Sequence, residues 1–238
     1  MVAKEALHLQ TNKNQPIGIV GLDLSTRRRN RLNGNLNANE NNHVLSISVE
    51  HSFGNCPKYI QSRHLETNSD EQHNVNNQQN ECSPFIEFNE HDIDLITQAD
   101  TLFIASSEKQ GGSLDANHRG GKPGFIHIDN NKQFWFKDYP GNNFFQTFGN
   151  IHNYPNIGLM LIDFNTGDLL LMHGKARLEK IQDTQSVESD SDSSSNNKKN
   201  SKFLARRLYF SLDQGLRVKQ AIKGQWSPVE MSPFLDKI

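Results

Sequence analysis

Between residues 113 and 124 the chain reads Ser-Leu-Asp-Ala-Asn-His-Arg-Gly-Gly-Lys-Pro-Gly, joining three glycines to two fixed cations and one titratable ring. The glycines let backbone approach a ligand closely, Arg119 and Lys122 bring permanent positive charge, and His118 changes charge near neutrality. That combination suits a phosphate. Downstream, Lys137-Asp138-Tyr139-Pro140-Gly141-Asn142-Asn143 turns into an expected helix. The N-terminal amides and positive dipole end of that helix form a second anion-binding element. The spacing predicts a nucleotide phosphate held between a basic glycine-rich loop and a helix start.

Other reactive side chains carry less. The run Arg27-Arg28-Arg29-Asn30-Arg31 has no interleaved aromatic residues and falls in an expected strand, so a solvated or salt-bridged strand face fits it better than RNA contact. Cys56 is read as a packed thiol; a helix starting at Pro57 would instead lower its pKa and make it reactive. The ten histidines show no metal-binding spacing, so no metal site is expected. His118 and His173 are placed near the expected pocket, in hydrogen-bonding or proton-donating roles. Neither Ser106 nor Ser107 lies in a nucleophile elbow, which removes support for a hydrolytic triad.

These residues need a scaffold, and the composition says which kind. The chain has 238 residues, of which only 34% are apolar, yet it contains 14 phenylalanines; its mean hydropathy is -0.72. A normal core is being diluted, and two segments do it: 66–81 and 182–200, rich in Asn, Gln, Ser and acidic residues. Neither buries enough apolar surface to offset its ordering entropy, so both are expected to be disordered. A net charge of -2 gives no global field for nucleic acid or anionic membrane, and neither partner is expected. Two cysteines, no secretory leader and no apolar run of membrane-spanning length point to a cytoplasmic protein.

Apolar or alternating runs predict strands over 17–22, 44–50, 101–105, 124–128, 133–137, 157–163, 169–178 and 203–212. Helices are predicted over 92–98 and 143–152; in the second, Phe144, Phe145, Phe148 and Ile151 share one core-facing side. The pattern is mainly β with a few short helices, in an antiparallel sheet or barrel.

The chain also repeats itself. Ile17-Gly18-Ile19-Val20-Gly21-Leu22-Asp23-Leu24-Ser25-Thr26 overlays Ile157-Gly158-Leu159-Met160-Leu161-Ile162-Asp163-Phe164-Asn165-Thr166 at an offset of 140, and Gly34 then meets Gly174. A strand, an Asp-x-x-Thr turn and a second strand recur. At that offset the first copy begins near its helix and lacks any counterpart of residues 101–140. It is expected to be either a truncated unit or a scaffold, so chemistry resting on 101–140 occurs once per chain.

The runs DTLFIASS, HRGGKPGFIHI, DYPGNNFFQTFGNI and NIGLMLIDFNTGDLLLMHGKARL resemble the FMN-binding split-barrel proteins related to pyridoxamine 5'-phosphate oxidase. The HRGGKPGF segment narrows the likeness to a subgroup with a duplicated barrel unit, whose first half is similar to VGLDLSTRRRNRLNG and SFGNCPKYIQ. The resemblance implies an antiparallel split β-barrel of the FMN-binding type. It implies that Arg119 contacts the FMN phosphate, that the backbone at Phe136 and Lys137 lines the flavin, and that Asn142 and Asn143 stand where the family carries an Arg-Lys pair. That departure replaces two charged donors by neutral amides, and charge-assisted bonds are the stronger ones. Trp226 aligns with an aromatic residue that helps cover the flavin. No counterpart of the pyridoxal phosphate contacts is present, so vitamin B6 oxidation is not implied.

The expectation is therefore an incomplete first repeat at 1–65, a polar insertion at 66–81, and an FMN-binding split-barrel unit at 82–238 with a disordered loop at 182–200. The FMN site would comprise His118, Arg119, Gly120, Gly121, Lys122, Phe136, Lys137, Asp138, Asn142 and Asn143. Because the family site lies between two barrel units, a homodimer is expected. The activity would be that of an FMN-dependent oxidoreductase on a small molecule; the alternative is a flavin- or haem-binding module without turnover.

Overall fold

The computed structural model describes residues 15–38, 45–66, 80–139, 146–181 and 205–237. The polar stretch 182–200, most of 66–81, and residues 140–145 lie outside them. The strands are β1 (Gln15–Asp23), β2 (Arg28–Ala38), β3 (Leu45–Asn55), β4 (Leu65–Glu66), β5 (Cys82–Phe85), β6 (Thr101–Ser107) and β7 (Leu114–Gly120). They continue with β8 (Ile126–Asn130), β9 (Gln133–Asp138), β10 (Asn156–Ile162), β11 (Leu169–Ile181), β12 (Ala205–Val218) and β13 (Gln225–Trp226). Helix α1 (Glu90–Gln98) precedes β6 and α2 (Gln146–Asn153) precedes β10. The mainly β, antiparallel class expected from the sequence is the class observed.

The larger sheet runs in the order β7-β6-β10-β11-β12-β9-β8, with β5 also paired to β12. Laid flat, seven strands would hold their outer members about 29 Å apart. Yet the outer members, β7 and β8, are joined only by residues 121–125, a connection that reaches about 20 Å at full extension. The sheet therefore curls until its edges approach, leaving an unpaired seam: a split barrel. Its interior is filled by alternate strand residues, among them Leu102, Ile104, Phe134, Phe136, Leu161, Leu208 and Phe210, all buried. Helix α2 adds Phe148 and Ile151 to this core, as its spacing predicts, while Phe144 and Phe145 lie outside the described residues. Helix α1 starts at a capping box in which Asn89 and Asp92 each accept from the other's backbone N–H at 2.9 Å.

The smaller sheet, β1-β2-β3, repeats a part of the larger one. Ile17 faces Gly34 and Leu22 faces Arg29 across the first hairpin; 140 residues later Ile157 faces Gly174 and Ile162 faces Leu169. The next ladder slips between Asn33 and Gly34 in one copy and between His173 and Gly174 in the other. Each turn is pinned by its aspartate: Asp23 accepts from Ser25 and Thr26, and Asp163 from the Asn165 N–H at 2.8 Å. The hydroxyls of Thr26 and Ser25 hold the exposed Asp23 carboxyl down to about 2.

One local expectation needs correction, and one alternative falls away. Residues 113–124 are not a loop: 114–120 form β7, and only the following residues turn. The buried side chains of β7 include Asp115, Asn117 and His118; polar themselves, they carry no apolar alternation to reveal the strand. Residues after Pro57 form a turn closed by the Ile60 N–H on the Pro57 carbonyl at 3.3 Å, not a helix, so Cys56 has no helix dipole behind it. The arginine run splits by strand alternation. Arg28 is exposed, whereas Arg31 is 1% exposed and ion-paired to Asp115 of β7. Among the described residues no helix is long and apolar enough to cross a membrane.

Candidate anion-binding site

The C-terminal ends of β7 and β9 meet the first repeat at a cavity of about 60 Å³. From the expected set, His118, Arg119, Gly120, Phe136, Lys137 and Asp138 line it. Gly121 and Lys122 do not. The Gly121 N–H donates to the Asp100 carbonyl at 3.1 Å, and the exposed Lys122 ammonium pairs with Asp236 at 2.7 Å. Asn142 and Asn143 lie outside the described residues. The opposite wall consists of Arg29 from β2 with Cys56, Lys58 and Tyr59 from the segment after β3. Sequence reasoning did not assign these four, although Arg29 stood in the basic run and the others in SFGNCPKYIQ. Trp226 packs edge-on against Phe164 at 5.3 Å and lines neither this cavity nor the groove described below.

Charge is unbalanced here. Arg29, Lys58, Arg119 and Lys137 face one carboxylate, Asp138. Burial lowers the Arg29 guanidinium to about 10, helped by repulsion from Arg119 and Arg31. Burial also lowers Arg119, with Asp138 opposing, and raises Asp138 against the pull of Arg119 and Arg206. Arg119 lies over the Phe148 ring at 5.1 Å, and its buried Nε has no partner among the described residues. His118 is 2% exposed, and its buried Nε2 has no partner among the described residues. Burial first, then Arg29 and Arg119, holds its imidazole well below the usual range. Each such orphan donor or acceptor calls for a partner such as water or a bound group.

Backbone strain is localised on the same wall. Tyr59 adopts φ 65°, a left-handed conformation that costs a non-glycine residue about 1–2 kcal/mol. This brings its carbonyl oxygen to 2.1 Å from where a Cβ on Gly120 would stand, so only glycine fits there. The Tyr59 ring packs beside Tyr139 at 5.3 Å.

The neutral His118 has a measurable consequence. The folded chain resists protonation at this site, whereas the unfolded imidazole titrates at about 6.5. Below that pH the unfolded state takes up the extra proton, so stability falls with falling pH by up to about 1.4 kcal/mol per pH unit. Urea unfolding at pH 7, 6 and 5 should show a shallower decline for His118→Gln than for the native chain. Equal declines would mean that His118 is solvated and titrates normally.

A second concavity, an apolar groove of about 760 Å³, lies on the outer face of the larger sheet. Phe103, Ala105, Met160 and Leu171 line it with Gly18 and Ile19 of β1. His173 belongs to this groove rather than to the cationic cavity, and its Nδ1 stands 3.9 Å from Asp213.

No protein-family model matches the chain, and no curated protein matches it significantly. Solved structures similar to it include a tagged variant of HupZ from group A Streptococcus, at 13% identity, TM-score 0.36, covering 56% of this chain and 99% of that one. Another is a Clostridium acetobutylicum protein related to general stress protein 26 of B. subtilis and described as of the pyridoxinephosphate oxidase family. It shows 11% identity and a TM-score of 0.36, covering 61% of this chain and 94% of that one. At these values neither likeness assigns a family.

Proposed function

We propose that this protein is an FMN-binding split-barrel flavoprotein, similar to pyridoxamine 5'-phosphate oxidase in its scaffold, that acts as an oxidoreductase on a small molecule. One observation carries the reading: a half-closed cavity at the strand ends where four cations meet one carboxylate and several buried nitrogens lack partners among the described residues. A phosphate dianion satisfies both deficits. The enclosed space suits a phosphate-sized group and would hold a three-ring flavin only in part. Arg119 would grip the phosphate, the Gly120 and Lys137 backbone would line the ligand, and Tyr59 would shield it. Bound there, FMN would supply the electron-transfer chemistry, while the protein binds and orients it.

The purified protein is expected to be yellow or to quench added FMN fluorescence; a colourless protein that leaves the fluorescence unchanged overturns the proposal. Anaerobic bleaching of the bound flavin by NADH or NADPH is expected for the enzyme. Tight binding without reduction by any common donor would instead assign a storage or sensor module, and a Soret band would assign haem. Arg119→Ala should weaken FMN binding by about 1.5–3 kcal/mol, the scale of a hydrogen bond to a charged group. Unchanged affinity on fluorescence titration would remove Arg119 from the phosphate site.

The proposal includes a homodimer in a reducing, cytoplasmic compartment. Two unpaired thiols, Cys56 and Cys82, are compatible with that compartment. The apolar groove supports a second copy as its occupant. Gly18 of β1 lies under β7, with the position of a Cβ 3.0 Å from the Ala116 nitrogen, whereas its repeat mate Gly158 meets nothing closer than Ala105 at 3.7 Å. The covered and uncovered glycines are continuous through the groove. Light scattering should give a dimer, and Met160→Asp should give monomers; a monomeric native chain rejects this part of the reading.

A further inference from the structure

Resting on the FMN reading, we propose that Arg29, contributed by the first repeat, is the second phosphate-gripping cation of the site. It would take over the charge that the resemblance places at Asn142 and Asn143.

The repeat isolates what is special about β2. At the offset of 140, Arg29, Arg31 and Asn33 occupy the positions of Leu169, Leu171 and His173. The second copy turns Leu171 and His173 toward the apolar groove. The first copy turns Arg29 and Arg31 toward β7, where Arg29 donates to Asn117 and Arg31 to Asp115. One sheet face has thus been made apolar in one repeat and cationic in the other, and the cationic version borders the cavity.

The arginines of this cluster differ in what neutralises them. Arg31 is buried against the Asp115 carboxylate, and Arg119 has Asp138 nearby. Arg29 is held by neutral acceptors: Nη1 donates to the Asn117 side chain at 3.3 Å and to the His118 carbonyl at 3.0 Å, and Nη2 to the Cys56 carbonyl at 3.4 Å. Its Nε is buried and unpartnered among the described residues. The guanidinium is therefore fixed in direction by groups that leave its charge uncompensated, which is how a preorganised anion contact is built. On this wall Lys58 reinforces the field, and the orphan Nε2 of the buried His118 marks the same space. The first repeat is then half of the ligand site and not only a scaffold, and the ligand class is a phosphate monoester.

The test compares ligands with and without the phosphate. Affinities of the full-length chain for FMN and for riboflavin are measured by fluorescence quenching in the native protein, Arg29→Gln and Arg29→Lys. Arg29→Gln is expected to weaken FMN about tenfold or more while leaving riboflavin within about twofold, and Arg29→Lys to recover part of the loss. Equal weakening of both ligands, or none, overturns the assignment. If the native chain binds neither flavin, the FMN reading fails by itself. Arg29 is then judged by inorganic phosphate, which should raise the melting temperature of the native chain and not of Arg29→Gln. An equal shift in both, or no shift in either, rejects it. Should Arg29→Gln not fold, Arg29→Lys replaces it: a partial weakening confined to FMN, or a reduced phosphate-induced shift, supports the assignment, and native behaviour overturns it.

Discussion

Asp115→Ala is expected to lower the folding stability by about 3–5 kcal/mol, the range for leaving one member of a buried ion pair uncompensated. Asp115 and Arg31 are each 1% exposed. One carboxylate oxygen of Asp115 accepts from Arg31 and the other from the Thr147 hydroxyl at 3.0 Å. Among the described residues Arg31 would retain the Gln146 side-chain Oε1 at 3.2 Å and the face of Phe53 at 4.6 Å, neither of which carries a compensating charge. The same logic predicts that the double variant Arg31→Met with Asp115→Leu lies nearer the native stability than either single change, because both desolvation penalties vanish together. Urea unfolding of the native chain, Arg31→Met, Asp115→Leu and the double variant measures this coupling as a double-mutant cycle. Additive effects, or a loss below about 1 kcal/mol for Asp115→Ala, would mean that water reaches the pair. Because the pair joins β2 to β7, this cycle also measures how firmly the first repeat is fastened to the barrel.

The same pair explains what the sequence revealed and what it hid. Strands whose buried side is apolar announce themselves by alternation, which is why β6, β9, β10 and β11 were legible along with the Phe148 face of α2. β7 was not, since Asp115 and Asn117 are buried against polar groups of β2 and α2 and His118 is buried beside the Phe103 ring. Its glycines suggested a loop, yet Gly120 is there for the close approach of the Tyr59 carbonyl. The half of the cavity built from His118 to Asp138 was readable because loop chemistry and a resemblance converged on it. The other half was not, because Arg29 comes to line the cavity only when an edge strand from the second repeat lies beside it. The repeat held that information: an arginine standing where the other copy carries Leu169 departs from the shared pattern and needs a local reason.

Gly174→Val should destabilise the fold by about 3 kcal/mol or more, toward the upper end for overpacked interiors. A Cβ there would stand 2.1 Å from the Ser211 carbonyl oxygen and 2.8 Å from the Phe210 ring, and neither the backbone nor a buried ring can retreat cheaply. Gly174 sits at the register slip between β11 and β12, where the bulge brings the partner strand close. Gly34, its mate 140 residues earlier, would place a Cβ at the same 2.1 Å from the Ser48 carbonyl at the matching slip. Gly34→Val is therefore expected to be disruptive too, but within the three-stranded sheet, so hydrogen exchange should accelerate in β1–β3 before the barrel core. Gly158→Ala is the control, with its nearest non-neighbouring atom at 3.7 Å, and thermal unfolding should find it near native. If Gly34→Val and Gly174→Val were both tolerated, the shared bulge would not be a steric requirement, and the matched glycines would lose their meaning as a mark of one motif used twice.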